Sequence, residues 1–264
     1  MKLENRKILI VGASSGIAAE AAFQIADRGN MIGLVARRED KLEQVSKGLS
    51  CRGCKALHWA ADATDPAEMT RVFREANEAM RGLEVVWVNA GQGPDMSIAD
   101  CSASDLTSMI RLNYEVLVNC LVPAIECLRK SGGGQIVHTN SLAGLLGIPR
   151  QGPYGAAKAA AKHLMDTARA ELEPENLRFT SLFPGFVATE RIANDGLPKP
   201  HQISVETAAR KSLAAIEAEK RNACFPLAAT SLVGALKALP QPVRNPLLRR
   251  ILPSSGSLPN RPPT

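Results

Sequence analysis

Three polar side chains in the middle of the chain have the types and spacing for acid–base chemistry at an oxygen atom. Tyr154 and Lys158 bracket Gly155-Ala156-Ala157, and on a helix that spacing puts both functional groups on one face. A phenol with a pKa of about 10 transfers protons poorly near neutrality. A neighbouring ammonium favours the phenolate and lowers that value. Ser141 lies thirteen residues earlier, in Asn140-Ser141-Leu142-Ala143-Gly144 at the end of an apolar run. A Tyr-x-x-x-Lys pair alone is weak evidence, and the serine strengthens it. Other polar candidates form no set. His58, His138, His163 and His201 share no ligand spacing, and Asp65 and Asp166 have no paired acid at the site. Cys51 and Cys54 form a CxxC pair with no second pair at metal-ligand spacing. No metal is implied, and the cysteines read as free thiols.

A second group of residues, upstream, has the character of a dinucleotide cleft. Gly12-Ala13-Ser14-Ser15-Gly16-Ile17-Ala18 follows the first apolar run. Glycines there permit a tight turn, and a following helix offers its N-terminal N–H groups to a pyrophosphate. A strand–helix turn without a ligand is the alternative reading. The second apolar run ends in Ala36-Arg37-Arg38, where an NAD site commonly carries an acid for the ribose 2′-hydroxyl. A guanidinium binds a 2′-phosphate through charge-assisted hydrogen bonds, so the pair favours NADP(H) over a merely solvated basic helix entry. Asp62-Ala63 and Asn89-Ala90-Gly91 end the third and fourth runs. The acid can accept from an adenine amino group, and the small residues let the chain pass close to a cofactor.

These groups sit at the ends of elements that alternate strand with helix. Ile8 to Val11, Met31 to Val35, Ala56 to Ala61, Val85 to Val88, Gln135 to Thr139, Phe179 to Phe183 and Ala223 to Leu227 read as buried strands. Helices are expected over Ile17 to Arg28, through Lys41-Leu42-Glu43, from Pro66, over Ser104 to Lys130 as one long helix, over Tyr154 to Leu172 and over Ser204 to Glu219. The pattern is that of an α/β fold, a doubly wound parallel sheet of about seven strands with helices on both faces. Such a sheet binds ligands at the carboxyl ends of its strands, where the candidate residues lie. The 264 residues suit one large domain, and 45 % hydrophobic content supplies its core, with aromatics at only 4 %. No run approaches a membrane span or a signal peptide, and the cytoplasm is the expected location.

Gly12 to Ile17, Asn89-Ala90-Gly91, Asn113, Ser141, Tyr154, Lys158 and Pro184-Gly185 occur in the order and spacing of the short-chain dehydrogenase/reductase family. The chain resembles that family over roughly residues 5 to 227. Ala18 stands where a third glycine is usual, and Asn140 where serine is more usual before Ser141. The resemblance implies a Rossmann-type fold and a site in which Tyr154 transfers the proton and Ser141 polarises the carbonyl. Lys158 would lower the phenol's pKa and bind the nicotinamide ribose. Asn113 would hold a water that links Lys158 to solvent, and Thr189, in Pro184-Gly185-Phe186-Val187-Ala188-Thr189, would contact the carboxamide. It also implies a homodimer or homotetramer. An active NADP(H)-dependent oxidoreductase is the expectation; a sensor or scaffold of the same fold, catalytically silent, is the alternative, and retention of Tyr154, Lys158 and Ser141 favours the enzyme.

The substrate signal is thinner. Leu142, Leu145, Leu146, Phe186, Ile192 and Leu197 suggest an apolar pocket under the Thr189 to Ser204 connection, and hence a lipophilic carbonyl or alcohol. The charge is uneven: residues through Glu219 hold 25 Lys+Arg and 26 Asp+Glu, whereas the rest hold seven bases and no acids. The catalytic domain is expected over 1–230 and a basic, Pro-containing extension over 231–264, disordered from about Ser254. In the extension, Leu232 to Leu239 and Val243 to Leu252 read as short helices packed over the site mouth or against a neighbouring subunit. A peripheral membrane anchor is the alternative. Nucleic acid is not an expected partner, because the bases lack interleaved aromatics.

Overall fold

The computed structural model describes residues 1–94, 96–189 and 201–251. Seven strands form one sheet: β1 (Lys7–Val11), β2 (Met31–Ala36), β3 (Lys55–Ala60), β4 (Val85–Val88), β5 (Gly134–Thr139), β6 (Leu177–Pro184) and β7 (Asn222–Phe225). Their order is β3-β2-β1-β4-β5-β6-β7, and every neighbouring pair is parallel. The chain winds outward in opposite directions from β1 and β4, so a crevice opens at their carboxyl ends.

Successive strand residues feed opposite layers. Ile8, Ile10, Ile32 and Leu34 join one apolar cluster, completed by α1 (Gly16–Gln24), α2 (Glu39–Ser50) and α7 (Val205–Glu217). Leu9, Val11, Val86 and Val88 join the other, under α3 (Pro66–Ala79), α5 (Val116–Lys130) and α6 (Gly152–Leu172). Alanines do much of the filling on α1, where Ala18, Ala21 and Ala22 are fully buried. Ala18 thus serves the close helix–sheet contact expected of a glycine there.

The long helix expected over Ser104 to Lys130 is interrupted. A capping box of Ser102 and Asp105 starts α4 (Ala103–Ile110), a π-helical turn spans Arg111–Glu115, and α5 follows. Such turns carry an i→i+5 ladder and gather at functional sites. A 3.6-residue apolar pattern does not announce them.

Among the described residues the last two helices are α8 (Leu227–Ala238) and α9 (Gln241–Ile251). Proline in the first turn is favourable, and Pro242 sits there, while Pro246 lies inside the helix. The division expected after residue 230 falls within α8. Leu236 and Leu248 bury themselves with Leu146 in a small apolar cluster, which fastens both helices over the carboxyl side of the sheet. The stretch read as disordered from Ser254 lies outside the described residues.

Candidate active site

The glycine turn brings the ends of β1 and β4 into contact. Gly12 has φ 87°, and a Cβ on it would stand 2.5 Å from the Ala90 nitrogen, so any side chain would collide with backbone. Asn89 and Ala90 both donate their N–H groups to the Val11 carbonyl, at 2.8 and 3.0 Å. Gly16, with φ 66°, begins α1, and its nearest neighbour at the Cβ position is the Thr189 methyl at 3.6 Å. Ser15 precedes the helix but makes no side-chain cap. Its hydroxyl and that of Ser14 instead accept from Arg38 Nη2, at 3.0 and 2.9 Å. The first N–H groups of α1 are thereby left for an anion.

Arg37 Nη1 stands 3.9 Å from Asp62 Oδ2. Partial burial pushes the Asp62 carboxyl up, but hydrogen bonds from Thr64 N and Oγ1 and the charge of Arg37 outweigh it and hold the group below its usual value. Two guanidinium groups and an ionised carboxylate therefore frame one end of the crevice. The glycine cradle, the uncapped helix and the arginine pair fit a dinucleotide.

At the other end, Lys158 is 2 % exposed. Its ammonium donates to the Thr139 carbonyl at 2.8 Å and lies 5.7 Å from the centroid of the Tyr154 ring. The Tyr154 ring packs against Gly93, where an added Cβ would be 3.0 Å away. Ser141, two residues beyond β5, caps the short 3-10 turn Leu142–Gly144 and accepts at Oγ from Ala143 N at 3.1 Å. Asn140, buried, donates to the Lys158 carbonyl at 2.9 Å and accepts from Ser141 N at 2.8 Å. The residue that departs from the family pattern thus ties the serine's strand end to the helix of the tyrosine and lysine.

Asn113 is fully buried in the π turn. It donates to the carbonyls of Gln92 (2.7 Å) and Met109 (3.1 Å) and accepts from Gln92 N (3.1 Å). A Cβ on Gly91 would lie 2.7 Å from Asn113 Oδ1 and 3.2 Å from Lys158 Nζ. Asn113 and Lys158 therefore flank Gly91, and Asn113 stands behind the cavity wall. His138 on β5 is also fully buried, and burial, with the Lys158 charge second, pushes its imidazole well below its usual value.

A single cavity of about 1240 Å³ joins these parts. Lining it are Gly12, Ser14, Ser15, Gly16, Ile17, Arg37, Arg38, Asp62, Ala63, Asn89, Ala90 and Gly91 from the first half of the chain. Ser141, Tyr154, Lys158, Pro184, Gly185, Val187 and Thr189 come from the second half. Of the expected pocket residues, Leu142, Leu146 and Phe186 line it and Leu145 does not; Ile192 and Leu197 lie outside the described residues. Ile148, Arg150 and Gln151 were missed, although they fall between Ser141 and Tyr154, and a loop joining two converging residues must border their site. Leu232, Val233, Leu236, Leu248 and Ile251 bring α8 and α9 to the wall, in keeping with the expectation of short helices packed over the site mouth. The Arg150 guanidinium places one base on a wall that the sequence suggests is apolar.

The family model for short chain dehydrogenase matches residues 6–197. The chain belongs to the short-chain dehydrogenase/reductase family, a family of oxidoreductases. It is similar to an uncharacterized oxidoreductase of Mycobacterium tuberculosis, with 30 % identity over 84 % of this chain and 88 % of that one. It is 33 % identical to sulfoacetaldehyde reductase 2 of Chromohalobacter salexigens, over 69 % and 73 %. Among solved structures, a short chain dehydrogenase of Burkholderia cenocepacia in complex with NADP superposes with a TM-score of 0.81 at 25 % identity, covering 96 % of this chain and 99 % of that one.

Proposed function

We propose that the protein is an NADP(H)-dependent oxidoreductase that interconverts a carbonyl and a secondary alcohol on a lipophilic substrate. The observation that carries this reading is that Tyr154, Lys158 and Ser141 border the same cavity as the glycine turn and the two arginines. When bound, the nicotinamide cofactor supplies or accepts the hydride. Arg37 and Arg38 bind the 2′-phosphate, and the N–H groups at the start of α1 bind the pyrophosphate. Asp62 and Ala63 border the adenine; Asn89, Ala90, Gly91, Pro184, Gly185, Val187 and Thr189 position the rest.

Tyr154 gives its proton to the carbonyl oxygen in reduction and takes it from the alcohol in oxidation. The Lys158 ammonium favours loss of that proton, and Ser141 Oγ donates to the same substrate oxygen. Asn113 acts indirectly, fixing the Gln92 backbone and the site of Gly91. The apolar wall from Leu142, Leu146, Phe186 and α8–α9 favours a lipophilic substrate. The NADP bound to the Burkholderia cenocepacia neighbour supports the cofactor. We assign residues 1–230 to catalysis, expect a homodimer or homotetramer, and place the protein in the cytoplasm; sedimentation velocity tests the assembly.

A screen of carbonyl compounds with NADPH and, in parallel, NADH tests the reading. Turnover of lipophilic ketones with preference for NADPH is expected. Tight NADPH binding with no turnover across the library would favour the sensor.

A further inference from the structure

The outer side of the C-terminal helices is not used by the site. On α8, Leu227, Ala228, Ser231, Gly234, Ala235 and Ala238 are all exposed, and Leu227 leaves 78 % of its surface to solvent. At 3.6 residues per turn these six fall within an arc of about 120° that holds no charge. The opposite side turns Leu232, Val233 and Leu236 to the cavity. A helix uncharged on its outer as well as its inner side is the pattern of one with apolar material against each. On α9, Val243 and Leu247 are exposed at 51 % and 38 %, in a segment that also carries Arg244, Arg249 and Arg250.

Charge decides what the outer side meets. From Lys220 onward there is no Asp or Glu, while residues through Glu219 are nearly balanced. A symmetric contact with a second copy would set this cationic face against its own image, with no carboxylate on the segment to pair. An anionic lipid surface offers the complement: phosphates for the arginines and an acyl boundary for Leu227, Val243 and Leu247. Helices of 12 and 11 residues are short to fold at an interface alone. Here they are already folded against the body through Leu236 and Leu248, so no ordering cost falls on the docking step. We propose that α8 and α9 dock the protein peripherally on an anionic lipid surface. The proposal goes beyond the redox reading and stands whether or not the protein turns over.

Co-sedimentation of the full chain with phosphatidylcholine vesicles, with and without phosphatidylglycerol, tests this. Binding is expected only with phosphatidylglycerol present and should weaken as salt rises. The double change Arg249→Glu/Arg250→Glu should weaken it roughly tenfold or more. Leu227→Asp/Val243→Asp, at exposed positions outside the cavity wall, should weaken it independently; circular dichroism melts report whether either variant is folded. Absence of vesicle binding, equal binding to neutral vesicles, or folded variants that bind like the parent would each overturn the proposal. So would vesicle-free self-association of the parent that Leu227→Asp abolishes, which would give the face to a second copy.

Discussion

The Lys158 ammonium donates to the main-chain oxygen of Thr139 at 2.8 Å, so the helix that carries Tyr154 is pinned to the carboxyl end of β5 by the candidate catalytic lysine itself. The Thr139 hydroxyl accepts from Trp87 Nε1 and donates to Asn89 Oδ1, both at 2.9 Å. Asn89 in turn donates to the Gly12 carbonyl at 3.2 Å. One residue thus links the acid–base end of the cavity to the glycine turn, and changes at Lys158 should be felt by cofactor and substrate alike.

Tyr154→Phe removes only a transferable proton. Turnover should fall by about 10²–10⁴ while NADPH binding, followed by quenching of tryptophan fluorescence, stays close to that of the parent. Lys158→Ala should damage both. A Phe variant that keeps most of its activity would remove the tyrosine from the mechanism.

Arg38→Ala removes the guanidinium held by the hydroxyls of Ser14 and Ser15. NADPH affinity should fall roughly 10- to 100-fold, with NADH nearly unchanged. Arg37→Ala should act in the same direction, because the ionised Asp62 loses its counter-charge beside the phosphate. Equal losses for both cofactors in isothermal titration would refute the 2′-phosphate assignment.

Gly91→Ala places a methyl between Asn113 and Lys158, at 2.7 and 3.2 Å. The overpacking should cost about 1–3 kcal/mol in urea unfolding and lower turnover by displacing the ammonium. A variant with unchanged stability and rate would show that the two side chains give way freely.

His138 makes a pH prediction. Its folded pKa is depressed from 6.5, so its contribution is fully present above that pH. Below it the unfolded chain takes up a proton that the folded chain resists, and stability falls by about 1.4 kcal/mol per pH unit until the folded value is reached. Urea unfolding of parent and His138→Leu should therefore run parallel from pH 7 to 9 and diverge in acid, as His138→Leu loses this sensitivity. Parallel profiles down to pH 5 would contradict the assignment.

Leu248, 5 % exposed, belongs both to the cluster that holds α9 and to the cavity wall. Leu248→Ala should raise KM for bulky lipophilic carbonyls roughly tenfold and spare small ones. Equal changes for both would place the side chain away from the substrate.

What was legible in the sequence is what local rules determine. Val85 to Val88, a run of apolar and mostly β-branched residues, can hardly be other than a buried strand, and it is β4 with the same bounds. Tyr154 and Lys158 share a helix face because four residues make about one turn. The two C-terminal apolar stretches are legible as short helices over the site mouth, but the closure of Leu236 and Leu248 on Leu146 is long-range packing that no spacing encodes. Asn140 is legible as a departure from the family pattern, but its bridge between the Lys158 carbonyl and Ser141 N depends on the strand and helix ends being in place.

The π turn at Arg111–Glu115 also makes the segment fragile in an unusual way. It holds one residue more than a regular helix needs between α4 and α5. Deleting a single residue there would give a smoother, better-bonded helix, because each i→i+5 step would revert to i→i+4. The same deletion would swing Asn113 about a quarter turn out of phase with α4 and away from Gly91. Locally the chain would gain and the pocket would lose, so length in this stretch is constrained more tightly than composition.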